Sequence, residues 1–227
     1  MVHCTVYPHN QEGNRVRAEI LKIHADSPEA SLIKYAAEQI QAGKVLGMPT
    51  DTFYGLAADP FNLRAVERVY EIKSRSRHKP LSLLIENVDQ AEEFAGPLPD
   101  DFQLLARRFW PGPLTMIVPA ASHLPLKVTA NTGNVALRVP AAEIPLAVVR
   151  AAKIPITATS ANLSGAAECS TAEQVREQLQ DRISLIVDGG ASPRSALSTI
   201  VQFNHDDSWE ILREGAIPAK EIIEALS

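Results

Sequence analysis

The chain has 227 residues, 45% hydrophobic and 22% charged, with a net charge of −5. That is enough apolar material for a substantial core, and it fits one large α/β domain or two small ones. The acidic balance argues against a surface coated by nucleic acid, yet it leaves room for a local basic pocket.

In chain order, residues 1–15 read as a polar N-terminal extension, interrupted by Pro8, Asn10 and Gly13, with no charged-then-apolar leader. Residues 16–227 read as one α/β domain. Arg17 to Ile23 alternates like a first strand. Ser27 is expected to cap a helix with Pro28 at its first position. Leu32, Ile33, Ala36, Ala37 and Ile40 form that helix's inward stripe, and Gly43 stops it. Val45 to Met48 is a short strand, followed by a hydroxyl-rich turn over residues 49–55. Asn62 opens a second helix with Leu63, Val66, Val69 and Tyr70 inward, and Leu81 to Ile85 is the strand behind it. Asp89 to Ala95 and Asp100 to Phe109 read as helices, and Leu114 to Val118 and Val135 to Val139 as strands. Pro145 to Ala152 is helical, and Ile154 to Thr159 is a strand. Thr171 with Gln174 forms a capping box opening a helix to about Gln180. Ser184 to Val187, Leu197 to Phe203 and Trp209 to Arg213 are the last strands, and Pro218 to Leu226 is a final helix. The alternation of strands and helices, with strands crowding late, indicates a mixed, twisted α/β sheet.

No apolar run approaches the ~18 residues of a membrane span, so a cytoplasmic protein with no membrane association is expected. Cys4 and Cys169 form no CxxC, and the six histidines form no HExxH-type pair, so reduced thiols and no metal site are expected. The two commonest nucleotide cradles, GxxxxGK[ST] and GxGxxG, are absent, as is GxSxG.

What remains is a set of polar turns after apolar strands, at 49–55, 73–80, 130–134 and 157–164; in α/β proteins such turns gather around a ligand crevice. Between Lys73 and Lys79 the chain carries four cations and a histidine, a local charge reversal in an acidic protein. Lys73 and Arg75, two apart, would point the same way on an irregular segment and make a phosphate clamp. The alternative is a solvated helix end that complements the helix dipole. Arg138, inside the apolar run Val135 to Val139, is either edge-facing or a partly buried cation seeking a carboxylate or phosphate. Ser160 and Asn162 serve equally as a turn or as phosphate and ribose contacts. Arg213 alone reads as a surface residue, and Asp188 before Gly189-Gly190 as a turn residue.

Taken together, several stretches resemble the YrdC family, the threonylcarbamoyl-AMP synthases. They are Pro49-Thr50-Asp51-Thr52-Phe53-Tyr54-Gly55-Leu56, Lys73-Ser74-Arg75 with Lys79-Pro80-Leu81, and Trp110-Pro111-Gly112-Pro113-Leu114-Thr115. Val135-Ala136-Leu137-Arg138-Val139-Pro140, Ser160-Ala161-Asn162-Leu163-Ser164-Gly165, Asp188-Gly189-Gly190, Ser198-Thr199-Ile200 and Leu212-Arg213-Glu214-Gly215 follow in the family's order. The resemblance implies a twisted mixed α/β sheet around a large, positively lined cavity, in the short, single-domain form. It implies ATP with Mg2+, L-threonine and bicarbonate or CO2 as substrates, giving threonylcarbamoyl-adenylate and pyrophosphate. A separate transferase complex then places the threonylcarbamoyl group on ANN-decoding tRNA. By motif, Lys73 and Arg75 are the catalytic cations. Lys73, Arg75, Lys79, Asn134, Ser160, Asn162 and Arg213 hold ATP, Ser160 and Asn162 on the wall opposite the cations. Thr52, Arg138, Ser198 and the backbone at Ala158 form the threonine site.

Three positions depart from the family pattern: Asn134 where a threonine is frequent, Leu84 where a histidine is, and Glu168 where a small or hydroxyl residue is. Two other classes share the features. A basic cavity could seat tRNA or other RNA, although aromatics for stacking are only 5% of the chain. A carbamoyl-transfer domain acting on another acceptor shares the adenylate chemistry. Salt separates the RNA reading, because binding through many phosphates falls steeply with ionic strength.

Overall fold

The computed structural model describes residues 18–74, 76–193, 196–204, 206 and 208–227. The expected extension 1–15, Cys4 and Arg75 lie outside the described residues. The first half of the chain contains β1 (Glu19–Lys22), α1 (Ala30–Gln41), β2 (Leu46–Met48), β3 (Gly55–Ala57), α2 (Leu63–Lys73), β4 (Ser82–Leu84), α3 (Val88–Phe94) and α4 (Asp100–Phe109). Then come β5 (Leu114–Pro119), α5 (Leu126–Thr129), β6 (Asn134–Arg138), α6 (Glu143–Ala152), β7 (Ile156–Thr157) and β8 (Thr159–Ser160). The last elements are α7 (Ala172–Leu179), β9 (Leu185–Asp188), β10 (Thr199–Phe203), β11 (Trp209–Arg213) and α8 (Ala219–Ala225).

The mixed α/β class is as expected, but the strands divide between two sheets. One has the order β1-β9-β2-β3-β8 and the other β11-β10-β5-β6-β4-β7. Both mix parallel and antiparallel neighbours: β9 runs parallel to β1 and β2, whereas β3 is antiparallel to β2 and β8. In the larger sheet β10–β5 and β6–β4 are parallel, and β5–β6, β10–β11 and β4–β7 antiparallel. A single strand over Ile154 to Thr159 is not formed. The Thr157 N–H donates to Ala58, beside the first sheet, and the Ala158 N–H to Ser82 in the second. The segment thereby splits into β7 in one sheet and β8 in the other, and it stitches the two together.

Period-two alternation sorts the larger sheet's residues. Met116, Leu137 and Val201 are fully buried in the main core. On the smaller sheet, α1 and α6 close a second core, where Ile33, Ala36, Ala37 and Ile40 meet Ile144, Val148, Val149 and Ala152. No helix among the described residues is long and apolar enough to cross a membrane.

Several local expectations are corrected. Ser27 does not cap α1; its hydroxyl pairs with His24, and Glu29 occupies the cap position without a side-chain cap because its carboxylate accepts from the His24 N–H. Leu63, the first residue of α2, is 49% exposed rather than inward; the stripe begins at Ala65. Helix α6 begins at Glu143, so Pro145 lies in its first turn, where a missing N–H costs no helical bond. Thr171 caps α7 by accepting from the Gln174 N–H, but the Gln174 side chain reaches the Ser170 N–H and not that of Thr171. The antiparallel strand β3 and the short helix α5 add to the expected elements. Asp188 is the turn residue expected, its carboxylate accepting from the Gly190 N–H.

Candidate active site

The face of the larger sheet opposite its core walls a cavity of about 660 Å³, within the range of small-molecule sites. Alternate residues supply it: Thr115 and Ile117 on β5, Asn134 and Arg138 on β6, Ile200 and Gln202 on β10. The β7–β8 crossing and the 50–55 turn close the side facing the smaller sheet. Each of the four expected turns contributes, through Thr52, Lys79, Asn134 and Ser160, and Ser198, Arg213 and Glu168 come in from later segments. Among the described residues, its lining cations are Lys79, Arg138 and Arg213, with Glu168 as an acid among them.

Arg138 ends β6 and is 7% exposed. A charge so buried needs partners. Its Nε donates to the Gly112 carbonyl at 3.0 Å and Nη1 to the Thr52 hydroxyl at 3.2 Å. Nη2 lies 2.7 Å from a carboxylate oxygen of Asp51. Thr52 also shares a hydroxyl contact with Thr50, whose own hydroxyl donates to the Phe53 carbonyl, so the turn fixes the acceptor that fixes the guanidinium. The edge-facing alternative for Arg138 is therefore removed.

Lys73 is the last residue of α2 and is 2% exposed; it does not sit on an irregular segment, and it is absent from the cavity lining. Its ammonium donates to the Ser160 carbonyl, and at 2.9 Å to both the carbonyl and the side-chain oxygen of Asn162. Its contact with the Ser160 hydroxyl is 3.3 Å. Ser160 and Asn162 are hence beside Lys73, not on an opposite wall. Lys73 approaches the cavity through Ser160, which lines it. Lys79 is exposed at the rim.

On the far side, Arg213 clamps the loop before β10. Its Nε and Nη2 donate to the Ser198 carbonyl at 3.1 and 2.8 Å, and Nη2 to the Ser198 hydroxyl at 3.1 Å. Ser198 also meets the Thr115 hydroxyl at 2.8 Å. Gly215 lies against this loop, and a Cβ there would collide with the Leu197 and Ser198 carbonyls. Burial holds the Arg213 pKa below its ordinary value; the Glu168 carboxylate opposes that shift and Arg138 adds to it. The Ala158 N–H is already committed to Ser82.

Residues 38–215 match the Sua5/YciO/YrdC family model, described as telomere recombination. The chain belongs to this family. It is 38% identical over 192 residues to the threonylcarbamoyl-AMP synthase of Pyrococcus abyssi, an alignment covering 84% of this chain and 56% of that protein. With the Bacillus subtilis threonylcarbamoyl-AMP synthase it shares 41% identity over 195 residues, 86% of this chain and 56% of the relative. The chain thus spans little more than half the length of these two relatives. A crystal structure of P. abyssi Sua5 complexed with L-threonine superposes with a TM-score of 0.88 at 35% identity, covering 92% of this chain and 61% of that one.

Of the positions that depart from the family pattern, Leu84 and Asn134 both line the cavity of this Sua5/YciO/YrdC member, as does Glu168. One carboxylate oxygen of Glu168 is buried without a hydrogen-bond partner among the described residues. Sequence reasoning gave no role to Asp51 or Thr115, which hold Arg138 and Ser198. A signal for Asp51 existed: an arginine expected to be buried requires a counter-charge, and Asp51 sits in the most polar turn of the chain.

Proposed function

We propose that this protein makes L-threonylcarbamoyl-adenylate and pyrophosphate from L-threonine, bicarbonate (or the CO2 it releases) and ATP. The product would feed threonylcarbamoyladenosine formation on ANN-decoding tRNA through a separate transferase complex, in the cytoplasm, with residues 16–227 acting as one catalytic domain. The observation that carries this reading is the meeting of Thr52, Arg138 and Ser198 with Lys79, Ser160 and Arg213 around one cavity. Membership of a family in which Sua5 has been solved with L-threonine supports it.

In this reading Arg138 anchors the amino-acid carboxylate, flanked by Thr52, Ser198 and the backbone at Ala158. Lys79, Asn134, Ser160 and Arg213 hold the nucleotide, with Arg75 carried over from the family motif. Lys73 and Asn162 brace the wall that Ser160 presents, and Lys73 offsets phosphate charge there. The threonine amine and CO2 join as a carbamate, with release of a proton. A carbamate oxygen then bonds to the α-phosphorus as the bond to the departing pyrophosphate breaks; starting from bicarbonate, one water is also released. No protein nucleophile is needed. Positioning and fixed cations do the work, with Mg2+ entering as the counter-ion of the triphosphate.

The test is pyrophosphate release from ATP, with threonine and bicarbonate omitted in turn. Release that needs both supports the reading, and release indifferent to threonine refutes it.

A further inference from the structure

The acid behind Arg138 plays no part in the reaction just described. Asp51 is 5% exposed and lies 2.7 Å from Nη2 of a guanidinium that is itself buried. Apart from that guanidinium contact, neither carboxylate oxygen has a hydrogen-bond donor among the described residues. Its neighbours Thr50 and Thr52 line the cavity, and Asp51 does not. The result is a buried dipole, with Arg138 at the wall, Asp51 behind it, and no net charge.

We infer that Asp51 is a specificity-determining residue: by cancelling the net charge of Arg138, it lets the pocket favour a zwitterionic amino acid over a plain carboxylate. The inference rests on the amino-acid reading of the Arg138 site. A lone guanidinium would attract a ligand's carboxylate and repel an ammonium one carbon away. Behind the guanidinium, a negative charge weakens the repulsion at the ammonium, while the direct contact preserves the attraction for the carboxylate. A ligand without an ammonium gains nothing from Asp51 and loses some attraction to it. Asp51 thus works as an element directed against the wrong ligand as much as for the right one.

Calorimetry on the full chain tests this with two ligands that differ only in the amine: L-threonine, and the 3-hydroxybutyrate enantiomer matching its hydroxyl. The wild-type protein should prefer threonine by about tenfold or more, and Asp51→Asn should lose most of that preference. Asp51→Glu, which keeps the charge, should retain it. A ratio of two affinities on one folded protein is insensitive to a change in active fraction, which a purely structural role would alter. An unchanged ratio in a folded Asp51→Asn overturns the inference. So does equal affinity of the wild type for the two ligands, a result that needs no variant. Failure of the wild type to bind either one instead overturns the amino-acid reading of the site.

Discussion

A guanidinium held on three sides, as Arg138 is by Gly112, Thr52 and Asp51, has little freedom to reorient. Arg138→Lys keeps the charge but loses the planar fork. The expected outcome is a threonine KM raised by about tenfold or more with the ATP KM within about twofold; the opposite pattern would mean the two subsites are interchanged. Arg138→Ala leaves Asp51 buried without its counter-ion, a change of about 3–5 kcal/mol, so a melt should accompany its kinetics. Lys73 differs in kind, since its ammonium joins the end of α2 to Ser160 and Asn162. Lys73→Ala should abolish most pyrophosphate release, as should Arg75→Ala; wild-type rates in both variants would remove the phosphate clamp. Lys73 was legible in the sequence as a cation, but not as a buried one. Charge patterning cannot tell a solvated helix end from a side chain folded into the neighbouring turn, because that turn is 87 residues away.

Helix α2 delivers Lys73, and its start is set by Asn62, whose side chain accepts from the Arg64 and Ala65 N–H groups at 3.1 and 3.2 Å. Asn62→Ala should cost about 1 kcal/mol, read as a lower midpoint in urea at unchanged slope; no loss would mean that water replaces the cap. The Asn62 cap is readable from sequence because capping is local, whereas the Ser27 cap is not, because Glu29 and His24 satisfy that loop in another way. Strand positions were mostly legible, since Val135, Leu137, Met116 and Val201 follow a period of two. The division at Ala158 was not: it depends on two acceptors, Ala58 and Ser82, that local sequence does not bring together.

Across the whole molecule, two mixed sheets joined at the β7–β8 crossing give the cavity its walls, and several of the motifs that carry the family resemblance, through Thr52, Lys79, Arg138, Ser160, Ser198 and Arg213, line it. The same junction holds groups kept neutral by burial. The Cys169 thiol is pushed up to about 11, by burial first and the Glu168 carboxylate second, against an opposing Lys73. Burial, with Asp188 adding to it, also raises the Tyr54 phenol, whose hydroxyl donates to the Gly190 carbonyl at 2.7 Å. An unfolded chain releases the thiol proton near its ordinary value of 9.0, and the folded chain near 11. The contribution of this thiol to stability is therefore fully present below pH 9.0 and is lost as pH rises towards 11. Cys169→Ala should flatten that decline in denaturant titrations, whereas an equal slope would exclude the thiol as a cause. The central claim, that one cavity brings a triphosphate, an amino acid and a one-carbon acid together, is tested most directly by mass spectrometry of the product formed with 13C-bicarbonate. An adenylate carrying both the label and threonine is the predicted result, lost when Arg138 is replaced by alanine. Pyrophosphate release with no labelled, threonine-bearing adenylate would contradict the account.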